Sequence, residues 1–366
     1  MNNKIIRAVG AGVVIAVWAA LVGFAWFGQR SDFSMTERAP LTQAPEVKLE
    51  TVMDGSFMEE FAEFAADQFP LRDDFRKVKS LFHYYGLGAK DVGGIYIQNG
   101  FAAEQVYPLN SQSVLYATGR FNYIYENALK DKAKGVYMVT VPDKNYYLAD
   151  SAGQLRADYD ALYALMAQQM PWATHIDVRG DLKIEDYYFT DTHWRQEKIL
   201  PVAQKVCDTM GVTLGDFTAS KVDKPFYGVY HSKAALPMEG EELYLMESDV
   251  LKNCTVQYMD INKTGAVYDM DKLDSADLYE LFLGGARSLI VIDNPAGTPG
   301  KELVVFRDSF GSSLTPLLLQ DYSKVTLVDV RYINLMTVSN MVNFENADVL
   351  FVYSTLILND SKLIRP

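Results

Sequence analysis

Apolar positions recur along this chain with two periods, and the alternation between them predicts its fold. Val136-Tyr137-Met138-Val139-Thr140-Val141 is a nearly unbroken apolar run, the pattern of a strand buried on both faces of a parallel sheet. Similar runs at 173–178, 288–292, 303–306, 325–328 and 349–352 are expected to continue that sheet. Between them, 111–130, 158–170 and 196–210 carry apolar residues at helical spacing. The segment 93–100 reads as a strand closing in an Asn99-Gly100 turn, hence a hairpin. Upstream, Phe57, Phe61 and Phe64, with Met58 and Ala65, form an amphipathic stripe that stops at Phe69-Pro70, and a second helix is expected over 73–85. The aromatic stripe reads as core packing. The stretch 215–287 has few helical periods and short β-like pieces at 254–259 and 266–268. It predicts an inserted antiparallel subdomain, or hairpins covering a cleft.

The N-terminus stands apart. Lys4 and Arg7 precede an uncharged, mostly apolar run from 8 to 27, about the length that spans a bilayer as a helix. Trp18, Trp26 and Phe27 include two aromatics at its outer end, and the positive-inside rule places the short basic N-terminus in the cytoplasm and everything after Gly28 outside. A cleaved signal peptide is the alternative, and both readings export the rest of the chain. The polar stretch 29–50, with Pro40 and Pro45, reads as a linker. The predicted organisation is therefore 1–28 as cytoplasmic N-terminus and transmembrane anchor, 29–50 as linker, and 51–366 as one extracytoplasmic α/β domain in which 215–287 is the insertion.

Composition narrows the function. The chain has 366 residues, enough for one large domain or two ordinary ones, and a net charge of −13, which argues against a nucleic-acid backbone as partner. The four histidines are scattered and give no zinc spacing. Cys207 and Cys254 suit either two core thiols or one disulfide.

Candidate chemistry centres on Val304-Val305-Phe306-Arg307-Asp308-Ser309-Phe310-Gly311, where a buried strand runs out at a serine and a small-residue turn into a helix. Serine needs an adjacent base, histidine is the usual one, and a carboxylate fixes its tautomer. Asp191-Thr192-His193 offers both from one short segment: in extended backbone, residues i and i+2 point the same way. Asp191 as an ordinary cap of the following helix is the structural alternative. Asp308 reads as capping its turn. Lys144, just past the end of the buried strand 136–141, Arg331, just past 325–328, and Tyr353, at the end of 349–352, are candidates for binding substrate or the oxyanion region. A salt bridge for Arg331 and core packing for Tyr353 are the alternatives.

Thr190-Asp191-Thr192-His193-Trp194 together with Asp308-Ser309-Phe310 resembles the signature pair of SGNH-like acyltransferases that act on exported polysaccharides, including the alginate O-acetylation proteins. More closely, the chain resembles the bacterial DHHW protein family. Supporting pieces are Asp67-Gln68-Phe69-Pro70-Leu71-Arg72, Val141-Pro142-Asp143-Lys144, Phe282-Leu283-Gly284-Gly285 and Asp329-Val330-Arg331. One departure is visible: Thr192 stands where the family name has its first histidine, which leaves the proposed base His193 in place. The resemblance implies an SGNH-hydrolase-like (flavodoxin-like) fold and a cofactor-free Ser309–His193–Asp191 triad. It implies an O-acyltransferase or esterase for a cell-envelope or secreted polysaccharide, supplied with acyl groups by a multi-spanning membrane acyltransferase. The alternative is a catalytically silent glycan-binding or assembly protein on the same fold.

Overall fold

The computed structural model describes residues 3–28, 30–34 and 36–365. The chain divides into two compact units, 1–92 with 232–237, and 93–231 with 238–366.

The first unit begins with a single α-helix, Asn3–Phe27. Its 18-residue stretch Arg7–Phe24 is long and apolar enough to cross a membrane, and none of that stretch is buried within the protein. The side chains of Lys4, Trp26 and Phe27 lie outside the described ones. The predicted amphipathic pair is present as Ser56–Asp67, preceded by Leu49–Asp54, and Arg72–Leu81, which runs into a π-turn at Phe82–Gly86. The expected linker is tied down: Thr36 donates to Asp73 at 2.6 Å, the Thr42 N–H donates to Asp67 at 2.9 Å, and Arg76 pairs with Glu37 at 3.0 Å.

The second unit is built on an eight-stranded sheet. In chain order its strands are β1 (Gly135–Val141), β2 (Thr174–Asp177), β3 (Thr255–Tyr258), β4 (Lys263–Gly265), β5 (Leu289–Asp293), β6 (Thr298–Arg307), β7 (Tyr322–Val328) and β8 (Asp348–Ser354). Their spatial order is β4-β3-β5-β7-β6-β8-β1-β2. The five strands from β7 to β2 are mutually parallel, whereas β5, β3 and β4 add on antiparallel. The expected mostly parallel sheet is thus present, with one correction: the run 288–292 is an antiparallel strand. Too few residues separate β5 from β6 for a parallel crossover, which takes a dozen or more. Instead residues 294–297 pass beneath the start of β7. The approach there is so close that a Cβ on Gly297 would lie 2.2 Å from the Tyr322 carbonyl oxygen.

Strand alternation sorts the core onto both faces of the sheet. Val304, Phe306, Val349 and Phe351 pack under helices Ser111–Ile124 and Tyr159–Gln169; Leu303, Val305, Leu350 and Val352 pack under helix Leu200–Met210. The region expected as an insertion splits in two. Thr218–Lys221 pairs with Tyr244–Glu247 as a separate ribbon, while β3 and β4 extend the main sheet. The predicted hairpin is Ile95–Gln98 with Phe101–Glu104, turned at Asn99 and Gly100 with φ of 52° and 85°. Cys207 and Cys254 are both buried free thiols.

Candidate active site

β6 delivers the serine. Its last residues, Phe306 and Arg307, are buried between β7 and β8, and Asp308 closes the strand. The Asp308 carboxylate accepts the Phe310 N–H at 3.0 Å and the Ser354 N–H at 2.7 Å, so it pins the turn to the end of β8. Ser309 then sits at φ −64°, ψ −23°, ordinary helical backbone without strain, ahead of the short helix Phe310–Leu314. It keeps partial solvent access, whereas Asp308 and Phe310 on either side are buried.

The base comes from the segment before residue 196. His193 Nε2 lies 2.7 Å from Ser309 Oγ, and His193 Nδ1 lies 2.5 Å from Asp191 Oδ1. Because a carboxylate can only accept, the hydrogen-bond network assigns the ring proton to Nδ1 and leaves Nε2 free to accept from the Ser309 hydroxyl. The segment is not extended as the spacing argument assumed. It bends, and the Asp191 carboxylate also accepts the His193 backbone N–H at 3.0 Å, the local turn that Asp favours. Its second oxygen accepts the Val229 N–H at 2.7 Å.

Asp191 is 1% exposed. Burial alone would raise its carboxyl pKa, but the charge and hydrogen bonds of His193 and the Val229 N–H outweigh it and hold the group below the usual carboxylate range. Tyr279, from the turn Leu278–Leu281, stacks on the imidazole with centroids 3.8 Å apart and planes 7° from parallel. Its hydroxyl and the Trp194 indole N–H both meet Ser313 Oγ, at 2.8 and 2.9 Å. The imidazole is therefore held at its edge by Asp191 and on one face by a ring that is itself anchored.

Neither a family profile nor a curated protein matches the chain. Solved structures do. A DHHW family protein from Eubacterium siraeum matches with a TM-score of 0.58 at 16% identity, over 74% of this chain and 93% of its own. A structure of Bacillus cereus PatB1 with a sulfonyl adduct matches with a TM-score of 0.56 at 17% identity, over 72% and 95%. The chain shares their fold. The O-acetyltransferase domain of Pseudomonas putida AlgJ also matches, with a TM-score of 0.42 at 12% identity, over 73% and 92%. The fold-level relation to a DHHW protein is the one the motifs Asp191-Thr192-His193-Trp194 and Asp308-Ser309-Phe310 suggested.

Three other residues singled out by sequence have partners of their own. Lys144 is 1% exposed, and its ammonium donates to the carbonyl oxygens of Tyr188, Phe189 and Asp191 at 2.7, 3.2 and 2.8 Å. Arg331 is engaged by Asp329 through two bonds of 2.9 and 2.6 Å. Tyr353 is wholly buried with its ring 4.7 Å from that of Phe121, because strand parity turns it with Val349 and Phe351 toward the helix Ser111–Ile124. Two partners were not legible in the sequence. Glu241, whose carboxylate accepts the Phe189 and Thr190 N–H groups at 2.7 Å each, sits in an ordinary-looking acidic run and Tyr279 in an ordinary apolar one; each meets the site only through long-range folding. A cavity of about 660 Å³ is lined by Val222, Leu245, Leu251, Val267 and Tyr268 among others, and none of Ser309, His193 and Asp191 lines it.

Proposed function

We propose that this protein is a membrane-anchored, extracytoplasmic O-acyltransferase or esterase that acts on a cell-envelope or secreted polysaccharide through a Ser309–His193–Asp191 triad. The observation that carries the reading is the hydrogen-bond chain from Ser309 Oγ through the imidazole to Asp191. In the first step His193 Nε2 takes the hydroxyl proton as Ser309 Oγ attacks an acyl carbonyl. The tetrahedral oxyanion is met by the Ser309 N–H. Collapse expels the donor's alkoxide, which leaves with the proton from His193, and an acyl ester remains on Ser309. In the second step His193 deprotonates a sugar hydroxyl or a water as its oxygen attacks that ester; the bond from the acyl carbon to Ser309 Oγ then breaks, and His193 returns the proton to Ser309. Asp191 stays ionised throughout and stabilises the imidazolium.

The apolar helix Asn3–Phe27 supports the address. Outside the cytoplasm acetyl coenzyme A is not at hand, so the donor role falls to a multi-spanning membrane acyltransferase, which the DHHW-like motifs also imply. The chemistry asks for no cofactor.

The test is covalent labelling. Wild-type protein is expected to react with a fluorophosphonate serine probe and to release acetate from an activated ester; Ser309→Ala is expected to do neither, and Asp191→Asn to lose ~10³–10⁴-fold in rate. Faster turnover on adding a polysaccharide acceptor, with acetate appearing on the glycan, separates transferase from esterase. A folded wild-type protein that never labels would leave the fold without this chemistry.

A further inference from the structure

The loop that carries Asp191 has an unusual means of support. From Tyr188 to Asp191 the backbone lies in neither helix nor strand, yet most of it is buried. Buried backbone groups outside regular structure need partners from elsewhere. Here two buried side chains of opposite charge supply them. Lys144, in the first turn of helix Lys144–Ala152 beyond the end of β1, places all three ammonium protons on loop carbonyls, those of Tyr188, Phe189 and Asp191. Glu241 takes the other polarity. Its two oxygens accept the Phe189 N–H and the Thr190 N–H, each at 2.7 Å, and the Thr190 hydroxyl at 2.6 Å. Lys144 is 1% exposed and Glu241 7%. The Lys144 ammonium also lies 5.2 Å from the Tyr230 ring centroid, and the Tyr230 N–H donates to the Thr190 carbonyl at 3.0 Å.

Placing a lone charge in such a site is costly, and the cost is met only when every proton and lone pair has a partner. Lys144 meets that condition through the loop and not through a solvent-facing partner. One of its three acceptors is the carbonyl of Asp191 itself, whose carboxylate orients His193.

We propose that Lys144 and Glu241 are positioning residues, a pair of buried opposite charges that clamps the loop backbone and so fixes the hydrogen bond from His193 Nδ1 to Asp191. The proposal rests on the triad reading above, since it is that bond's geometry that matters. A misplacement of ~1 Å in a reacting group costs on the order of 10²-fold in rate.

The experiment uses the full chain in detergent micelles with two readouts. One is the low-field proton resonance of His193 Nδ1–H, assigned by its loss in His193→Ala. The other is the rate of fluorophosphonate labelling at Ser309. Lys144→Met and Glu241→Gln are each expected to shift or broaden the proton and to slow labelling about 100-fold while unfolding stays cooperative. Lys205→Met is the control: Lys205 also bonds a backbone carbonyl, that of Asp177 at 2.6 Å, but from an exposed position, and both readouts should hold. Glu241→Gln keeps the side chain's shape and one acceptor, so it carries the test where Lys144→Met does not fold. A folded variant of either kind that keeps the proton in place and labels within about two-fold of wild type overturns the proposal. Wild-type protein that shows the proton but never labels would sink the triad chemistry instead, and the proton alone would then decide the clamp.

Discussion

Asp191 keeps its charge in a place that disfavours charge, and that has a measurable consequence. Its folded carboxyl titrates below the usual range because, against burial, His193 and the Val229 N–H stabilise the anion. An unfolded aspartate takes up its proton near pH ~3.9. Between that value and the lower folded one the unfolded chain binds more protons, so stability falls as pH falls. The contribution is complete above about pH 4 and is lost progressively on acidification. Urea midpoints followed by tryptophan fluorescence should therefore decline less steeply below about pH 4 in Asp191→Asn than in wild type. Equal slopes would mean that the anion is not stabilised by the fold. At this scale the sequence exposed the residues whose chemistry is local. A serine at a strand end and an Asp-x-His segment announce themselves by type and spacing. Lys144 was recognisable as important by its position after β1, but not as a support for backbone, because its acceptors lie more than forty residues on, at Tyr188 to Asp191. The side of the sheet that Tyr353 faces was, in retrospect, available from strand parity.

The elements around the site explain how so short a segment as 190–193 can be held. The loop through Gly228 rests directly on it. The Gly228 N–H donates to the Thr190 hydroxyl at 2.8 Å, and a Cβ at that position would lie 2.2 Å from the Asp191 Cβ and 2.4 Å from its nitrogen. The clash is with backbone, which cannot swing aside as a flexible side chain can. Gly228→Ala is expected to destabilise the protein by about 1–3 kcal/mol and to slow serine-probe labelling at least tenfold. A variant with unchanged stability and rate would show that the loop yields freely. Parallel strands, their flanking helices and the Asn99-Gly100 hairpin were all legible, because period and turn chemistry are local signals. The direction of β5 followed from the shortness of its link to β6, a constraint the apolar run itself does not carry. The pairing of β3 with β5 had no local signal at all, since thirty residues and a second strand separate them.

At the scale of the whole molecule, the larger unit is a sheet with a packed core on each face, and one of those cores holds both sulfurs. Cys207 and Cys254 belong to the same apolar cluster under helix Leu200–Met210, with exposures of 0% and 6%. Burial pushes their thiols up, to about 12 and about 11, so the reactive thiolate is scarce while the core is closed. An alkylating reagent can reach these sulfurs only when that core opens. The pair is thus a built-in clock for the opening of this face. Under native conditions maleimide incorporation should be slow, should follow one rate for both sulfurs if the core opens as a unit, and should accelerate in step with urea-induced unfolding. Two well-separated rates would divide this core into regions that breathe independently, and would identify whether the part around Cys207 or the part around Cys254 gives way first.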